Sequence, residues 1–147
     1  MIIGSHNSWT YSKPKKFWMR LFNWCTKCQD FDIRTQYDLF KVRCFDLRIS
    51  FDKNDNPIIT HNKTVYFNLN EVLDELNWLN LKKDVLVRVI NDIRTKKKHT
   101  AQNMYNFITV CKQLEKDYKY ITFFGGTNLY DGTQDYIFNQ YVSVGER

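Results

Sequence analysis

The sequence is poor in the features that would mark a membrane-spanning, exported or repetitive protein. No stretch approaches the ~20 consecutive apolar residues that a bilayer crossing requires. Met1-Ile2-Ile3 runs straight into Gly4-Ser5-His6, with no basic leader and no apolar core of the kind a secretory signal carries. The expected location is therefore cytoplasmic. There is no repeat of fixed period and no low-complexity tract, which excludes solenoid and linker-type architectures. Cysteine is limited to Cys25, Cys28, Cys44 and Cys111. Cys25-Thr26-Lys27-Cys28 is a CxxC that raises zinc or redox chemistry. A structural zinc site normally needs a second pair, and neither a second CxxC nor an HxxxH follows. Histidine is scarce too, with only three in the chain.

What is present is a core. The 147 residues are 43% hydrophobic and 16% aromatic, well above a disordered composition, and the length fits one domain spanning 1–147. The net charge of +6 favours an anionic partner: a phosphate ester, an acidic membrane surface or nucleic acid.

Period-2 and period-3.6 patterns alternate along the chain, the signature of repeated βα units with parallel strands and crossover helices. A short apolar strand ends at Gly4-Ser5, and residues 11–28 read as irregular, aromatic and basic. A helix is expected from Asp30 to Phe40, and Val42 to Phe51 is the clearest strand. The turn 52–57 leads to a short return strand, Ile58-Ile59-Thr60. Asn68-Leu69-Asn70-Glu71 reads as a capping box, followed by Val72, Leu73, Leu76 and Leu79 on one helical face. Val85 to Ile90 is a buried-strand run. A helix opens at Thr100 with Met104, Phe107, Ile108, Cys111 and Leu114 at 3–4 spacing, and Tyr120 to Phe124 is the last strand. A closed eight-stranded barrel takes ~250 residues. The expected fold is thus α/β, a TIM-barrel-like parallel βα architecture amounting to about half a barrel.

Functional groups in such folds gather at the carboxyl ends of the strands. Here those ends read Ser5-His6-Asn7, Asp46-Leu47-Arg48, His61-Asn62 and Asn91-Asp92. Strand alternation places Asp46 and Arg48 on one face, ~7 Å apart along it. An interior charged pair is costly unless partnered and often marks a site. Arg88, inside the next strand, is a candidate second anion contact, and Asn91 and Asp92 are expected near the site. The basic cluster Arg94, Lys96, Lys97, Lys98 and His99 reads as a solvated loop or a face for anionic headgroups. The stretch Phe17 to Trp24 reads as a loop over the barrel's open end or as an interfacial element. Gly125-Gly126 with Asn128 and Tyr130 resembles a loop at the site rim.

Three of these segments together resemble the phosphatidylinositol-specific phospholipase C X domain. Ile3-Gly4-Ser5-His6-Asn7-Ser8 is similar to its first catalytic motif, Val42 to Arg48 to its second, and Pro57-Ile58-Ile59-Thr60-His61 to its third, in the same order and spacing. The resemblance runs from residue 1 to about 125. It implies a phosphodiesterase in which His6 is the general base and His61 the general acid. Arg48 would neutralise the phosphoryl oxygens, and Asp46 would hold Arg48 or a histidine in place. An imidazole pair suits such work because an ordinary histidine titrates near neutrality. Asn7, Arg88, Asn91 and Asp92 are the expected substrate-binding residues.

Calcium-dependent members place an acid where Arg48 stands, whereas metal-free bacterial members have arginine there. No metal or other cofactor is therefore expected, with Ca2+ disfavoured by Arg48, although Asn7 matches the calcium-dependent pattern. Asn62 departs from the family, which commonly has glycine after the third-motif histidine. The implied partner is a phospholipid or other small phosphodiester, with peripheral membrane contact and no nucleic acid. Oligomeric state stays open. The competing readings are a magnesium-dependent glycerophosphodiester or sphingomyelin-type phosphodiesterase, and a catalytically inactive module that binds anionic lipid.

Overall fold

The structure, a computed structural model, describes residues 2–92 and 100–126. Its framework is a six-stranded sheet. The strands are β1 (Gly4–Ser5), β2 (Cys44–Phe51), β3 (Pro57–His61), β4 (Thr64–Asn68), β5 (Val85–Asn91) and β6 (Ile121–Gly126). β2 is central. One edge pairs in parallel with β5, and β5 pairs in parallel with β6. The other edge is shared, with β1 running parallel to its first residues and β3 antiparallel to its last. Four parallel strands, β1, β2, β5 and β6, are half the complement of an eight-stranded barrel, and β3–β4 is an antiparallel hairpin added to them.

The two faces of the sheet differ because alternation and register sort the side chains. Parallel partners level with each other point to the same side. Phe45 lies level with Val87 and Leu47 with Val89. These residues, with Ile49, join Ile33, Tyr37, Val72, Leu76, Leu79, Phe107 and Leu114 in one apolar core. The helices α2 (Ile33–Asp38), α3 (Leu73–Asn80) and α4 (Ala101–Asp117), with the turn before α3, supply the latter set. On the opposite face Asp46 lies level with Arg88, flanked by Cys44 and Arg48. All four are buried there, so the charges face an interior.

Local sequence explains the helix starts. Asp32 caps α2 by accepting from the Thr35 N–H at 2.7 Å, and Thr100 caps α4 by accepting from the Asn103 N–H at 3.1 Å. Each such cap stabilises by about 1 kcal/mol. Glu71 reaches back to the Asn68 N–H at 2.6 Å, the reciprocal half of the expected capping box. It opens a 3-10 turn over Leu69–Val72 that leads into α3.

Some boundaries differ from the sequence reading. The helix expected over 30–40 is only Ile33–Asp38, because its first polar residues form the cap. Residues 11–28, expected to be irregular, contain a 3-10 turn (Phe17–Phe22) and the short helix α1 (Asn23–Thr26). The return strand continues into a second one, β4, through a turn in which Asn62 has φ +66°. Asparagine tolerates that left-handed conformation far better than other residues with a Cβ. This accounts for a residue other than glycine after His61. The basic cluster at 94–98 with His99, and Asn128 with Tyr130, lie outside the described residues. Among the described residues no helix is long and apolar enough to cross a membrane.

Candidate active site

Strand β1 stops at Ser5, and the chain turns sharply so that His6 stands just past the strand end. Asn7 takes the turn with φ +49°. Two reciprocal bonds fasten the turn to β2: Ser8 N–H donates to the Asp46 carbonyl at 3.1 Å, and Asp46 N–H donates to Ser8 Oγ at 2.8 Å. The Asn7 N–H donates to Asp46 Oδ2 at 3.0 Å, and Arg48 Nε donates to the same oxygen at 3.1 Å. One carboxylate oxygen thus fixes both the histidine-bearing turn and the guanidinium.

Arg48 Nη2 lies 2.7 Å from His6 Nε2. A guanidinium can only donate, so in this arrangement Nε2 of His6 is the unprotonated, accepting nitrogen. His61 ends β3, and its Nδ1 is 2.6 Å from the Thr26 carbonyl oxygen. A carbonyl can only accept, so Nδ1 of His61 carries a hydrogen. The ring centroids of His6 and His61 are 6.3 Å apart at an interplanar angle of 76°. The two imidazoles therefore adjoin each other in different hydrogen-bonding states.

Electrostatics hold the Asp46–Arg48 pair in its charged form. Asp46 is 1% and Arg48 8% exposed. Burial pushes the Asp46 carboxyl up, but the charges of Arg48, His6 and Arg88 and the Asn7 N–H outweigh it and hold the group below its ordinary value. Burial pulls Arg48 down, and the Asp46 and Asp92 charges more than compensate, raising it. Asp92 is anchored by its own N–H to the Ile49 carbonyl at 2.7 Å and accepts from Thr60 Oγ1 at 2.8 Å.

His6, Asn7, Asp46, Arg48, His61, Arg88 and Asp92 are thus brought together. Asp46 and Arg48 lie inside β2 and Arg88 inside β5, however, not at a strand's carboxyl end as expected for Asp46-Leu47-Arg48, because β2 runs on to Phe51 to pair with β3. Asn91 does not join them. It lies level with Ile49, a core-face residue, and its amide donates to Asn103 Oδ1 of α4 at 2.8 Å. Strand alternation puts it on the side opposite Arg88.

Several residues that hold the site carried no sequence signal for it. Thr26 contributes a carbonyl, and its own hydroxyl accepts from Tyr66 Oη at 2.9 Å. Gln29 Nε2 donates to the His6 carbonyl at 2.7 Å. Cys28 Sγ sits 3.6 Å from His61 Nδ1 and accepts from Asn7 Nδ2 at 3.2 Å. The CxxC was visible in sequence, but its contact with a histidine of the third motif was not.

The oxygens best placed to meet a cation are Asn7 Oδ1 and Asp46 Oδ1, both buried without a hydrogen-bond partner among the described residues. The Arg48 guanidinium stands beside them and repels a divalent ion. Among the described residues no group of three or more His, Cys, Asp or Glu side chains is placed to hold a metal.

No protein-family model matches the chain, and no curated protein does. Solved structures do match. Phosphatidylinositol-specific phospholipase C from Listeria monocytogenes superposes with a TM-score of 0.59 at 16% identity, over 86% of this chain and 50% of that one. A mutant form of the Staphylococcus aureus enzyme gives 0.55 at 19% identity, over 86% and 48%. A further S. aureus structure gives 0.58 at 18% identity, over 86% and 47%. The fold is phospholipase C-like. The chain spans about half the length of these enzymes, so the parallel βα architecture corresponds to half of a barrel-like whole.

Proposed function

We propose that this chain is a phosphodiesterase of the phospholipase C type, in which His6 and His61 cleave a phosphodiester without a metal. The observation that carries the reading is the placement of two imidazoles 6.3 Å apart, one of them hydrogen-bonded to a buried guanidinium. When substrate binds, Arg48 Nη2 exchanges His6 Nε2 for a phosphoryl oxygen. The freed His6 Nε2 takes the proton of an attacking hydroxyl, whose oxygen then bonds to phosphorus. His61 delivers a proton to the departing alkoxide as the phosphorus–oxygen bond to the leaving group breaks. With a hydroxyl of the substrate itself as nucleophile, the products are a cyclic phosphate and an alcohol. Arg48 stabilises the charge growing on the phosphoryl oxygens, and its bond to Asp46 fixes the fork. The Arg88 charge acts on Asp46 and the Asp92 charge on Arg48.

The structures to which the chain is similar are of enzymes specific for phosphatidylinositol, which makes that lipid the first substrate to test. A surface element supports a lipid substrate. Phe17, Leu21 and Trp24 are 77%, 72% and 75% exposed, with Trp18 and Phe22 also exposed and Lys16 and Arg20 among them. This element leads directly into Thr26 and Cys28 at the site. Tryptophan with basic neighbours suits a membrane interface.

The test is to assay the protein beside its His6→Ala variant on phosphatidylinositol and on a soluble aryl phosphodiester of inositol, with EDTA present. Loss of the base should lower turnover by about 10²–10⁴-fold. Equal rates in the two proteins, or turnover only with added divalent ion, would rule this mechanism out.

A further inference from the structure

The segment that carries the CxxC is the same segment that holds the His61 imidazole and the His6 backbone. Over the four residues 26–29, the Thr26 carbonyl binds His61 Nδ1 at 2.6 Å, Cys28 Sγ lies 3.6 Å from that nitrogen, and Gln29 Nε2 binds the His6 carbonyl at 2.7 Å. Thr10 Oγ1 pins the segment by accepting from the Cys28 and Gln29 N–H groups at 2.9 and 3.2 Å. Helix α1 ends at Thr26, and Lys27 is extended at φ −77°, ψ 119°. Cys28 is thereby carried past the helix end and inward, 8% exposed, whereas Cys25 is exposed. Both are thiols. The Cys28 sulfur accepts an amide N–H and has the Arg48 guanidinium within electrostatic reach, while the exposed Cys25 sulfur is the one open to an oxidant in solution.

We propose that Cys25 and Cys28 form a peroxide-sensitive dithiol whose disulfide draws Cys28 away from His61 and Asn7 and so disables the site. As a mode of regulation it rests on the function proposed above; as a modification site it does not. The exposed Cys25 sulfur attacks a hydroperoxide, forming an S–O bond as the O–O bond breaks, and gives a sulfenic acid and water (or an alcohol). Cys28 sulfur then attacks Cys25 sulfur, an S–S bond forms, and the hydroxyl leaves as a second water. Two thiols are oxidised and one peroxide is reduced. Closing the bridge requires the two Cα atoms to come within about 7 Å. In the proposed bridge Cys28 turns outward to the exposed Cys25, and the Thr26 carbonyl and the Gln29 amide move with it. A four-residue loop closed in this way is of the strained, readily reduced class that serves as a switch rather than a staple.

The experiment treats the full chain with hydrogen peroxide and follows three readouts: peptide mapping of the bridge, the His61 imidazole resonance (assigned by its loss in His61→Ala), and phosphodiesterase rate. The expected result is a Cys25–Cys28 bridge, a shifted His61 resonance and a rate lowered by about 10²-fold, as displacing a reacting group by ~1 Å does. Dithiothreitol should reverse all three. Cys25→Ser should keep the parent's rate when reduced and show no bridge, no shift and no comparable loss after peroxide. A Cys25-linked dimer in place of the internal bridge, a mapped bridge that leaves the resonance unmoved, or equal inactivation of Cys25→Ser would overturn the dithiol. A reduced parent with no turnover removes the phosphodiesterase reading, while the bridge and the resonance still decide the dithiol. A mapped bridge with an unchanged rate removes the regulatory part.

Discussion

Replacing Asp46 by asparagine is the most informative single perturbation, because one oxygen of this side chain serves two structures at once. Asp46 Oδ2 accepts from Arg48 Nε and from the Asn7 N–H. The substituted amide would keep a single acceptor oxygen and no charge, leaving Arg48 buried with weaker compensation. Removing one member of a buried ion pair typically costs about 3–5 kcal/mol. Arg48 still feels the Asp92 charge, so the lower end of that range applies, about 3 kcal/mol. At roughly 2–4 °C per kcal/mol for a chain near this size, the midpoint of thermal unfolding should drop by about 6–12 °C at neutral pH. The sign of the pH dependence follows from the lowered Asp46 value. A carboxyl depressed on folding contributes stability that is fully present above its unfolded value, about 3.9, and is lost as pH falls through the folded value. The gap between parent and Asp46→Asn should therefore be widest at neutral pH and narrow below about pH 4, as the parent's own carboxyl takes up its proton. Circular dichroism melts of both proteins from about pH 7 to about pH 2.5 measure this directly. A constant gap over the whole range would refute the argument, since it would mean the ionised form of Asp46 contributes nothing.

Two further outcomes concern phosphate and surface. Arg48→Lys should lose about 10²-fold or more of the phosphodiesterase rate, because lysine keeps the charge but not the two-pronged fork, while EDTA leaves the parent unaffected; a fully active lysine variant, or loss with EDTA, would show that the guanidinium does not take the metal's place. Replacing Phe17 and Trp24 together by alanine should weaken sedimentation with phosphatidylcholine vesicles containing phosphatidylglycerol by about tenfold, equivalent to ~1.4 kcal/mol, with the rate on a soluble substrate unchanged; unaltered vesicle binding would leave the exposed aromatic element without a role at lipid.

How far the sequence can be read depends on whether a feature is written in side-chain type or in register. β2 is legible because alternation over Cys44–Phe51 separates Phe45, Leu47 and Ile49 from Asp46 and Arg48, and the structure puts them on opposite faces. The ends of β1 and β3 are legible because histidine is rare in this chain and two of three stand there. Asn91 goes to the other face because it stands three residues beyond Arg88 in β5, and alternation turns the two side chains to opposite sides, so the two were never both available to one site. β4 escapes a sequence reading because its Thr64–Phe67 stretch runs directly into the helix-start signal at Asn68, which is the stronger of the two. The groups that hold the histidines, a Thr26 carbonyl on the His61 ring and a Gln29 amide on the His6 backbone, come from a segment whose composition says only that it is basic and aromatic. The Thr26 carbonyl is a backbone acceptor with no residue type to recognise, so its support emerges only when the fold brings the segment beside β3.

The division of labour between the two histidines gives the sharpest remaining prediction, since the hydrogen bonds around them are unequal. Arg48 donates to Nε2 of His6, and Nδ1–H of His61 is held by the Thr26 carbonyl. If His6 accepts the proton of the nucleophile and His61 donates to the leaving group, each variant should fail on a different substrate. A nitrophenolate departs without help, so His61→Ala should recover much of the parent's rate on a nitrophenyl ester yet stay about 10²–10⁴-fold down on an alkyl ester. His6→Ala should stay poor on both, because attack still lacks a base. The pH–rate profile offers an independent check. The parent's bell should lose its alkaline limb in His61→Ala, where no protonated acid is needed for the activated ester, and its acid limb in His6→Ala. Steady-state rates for the two variants on the two esters, measured across pH, decide the matter. Recovery by His6→Ala in place of His61→Ala would reverse the roles, and equal losses by both variants on both esters would show that the pair binds phosphate without transferring protons.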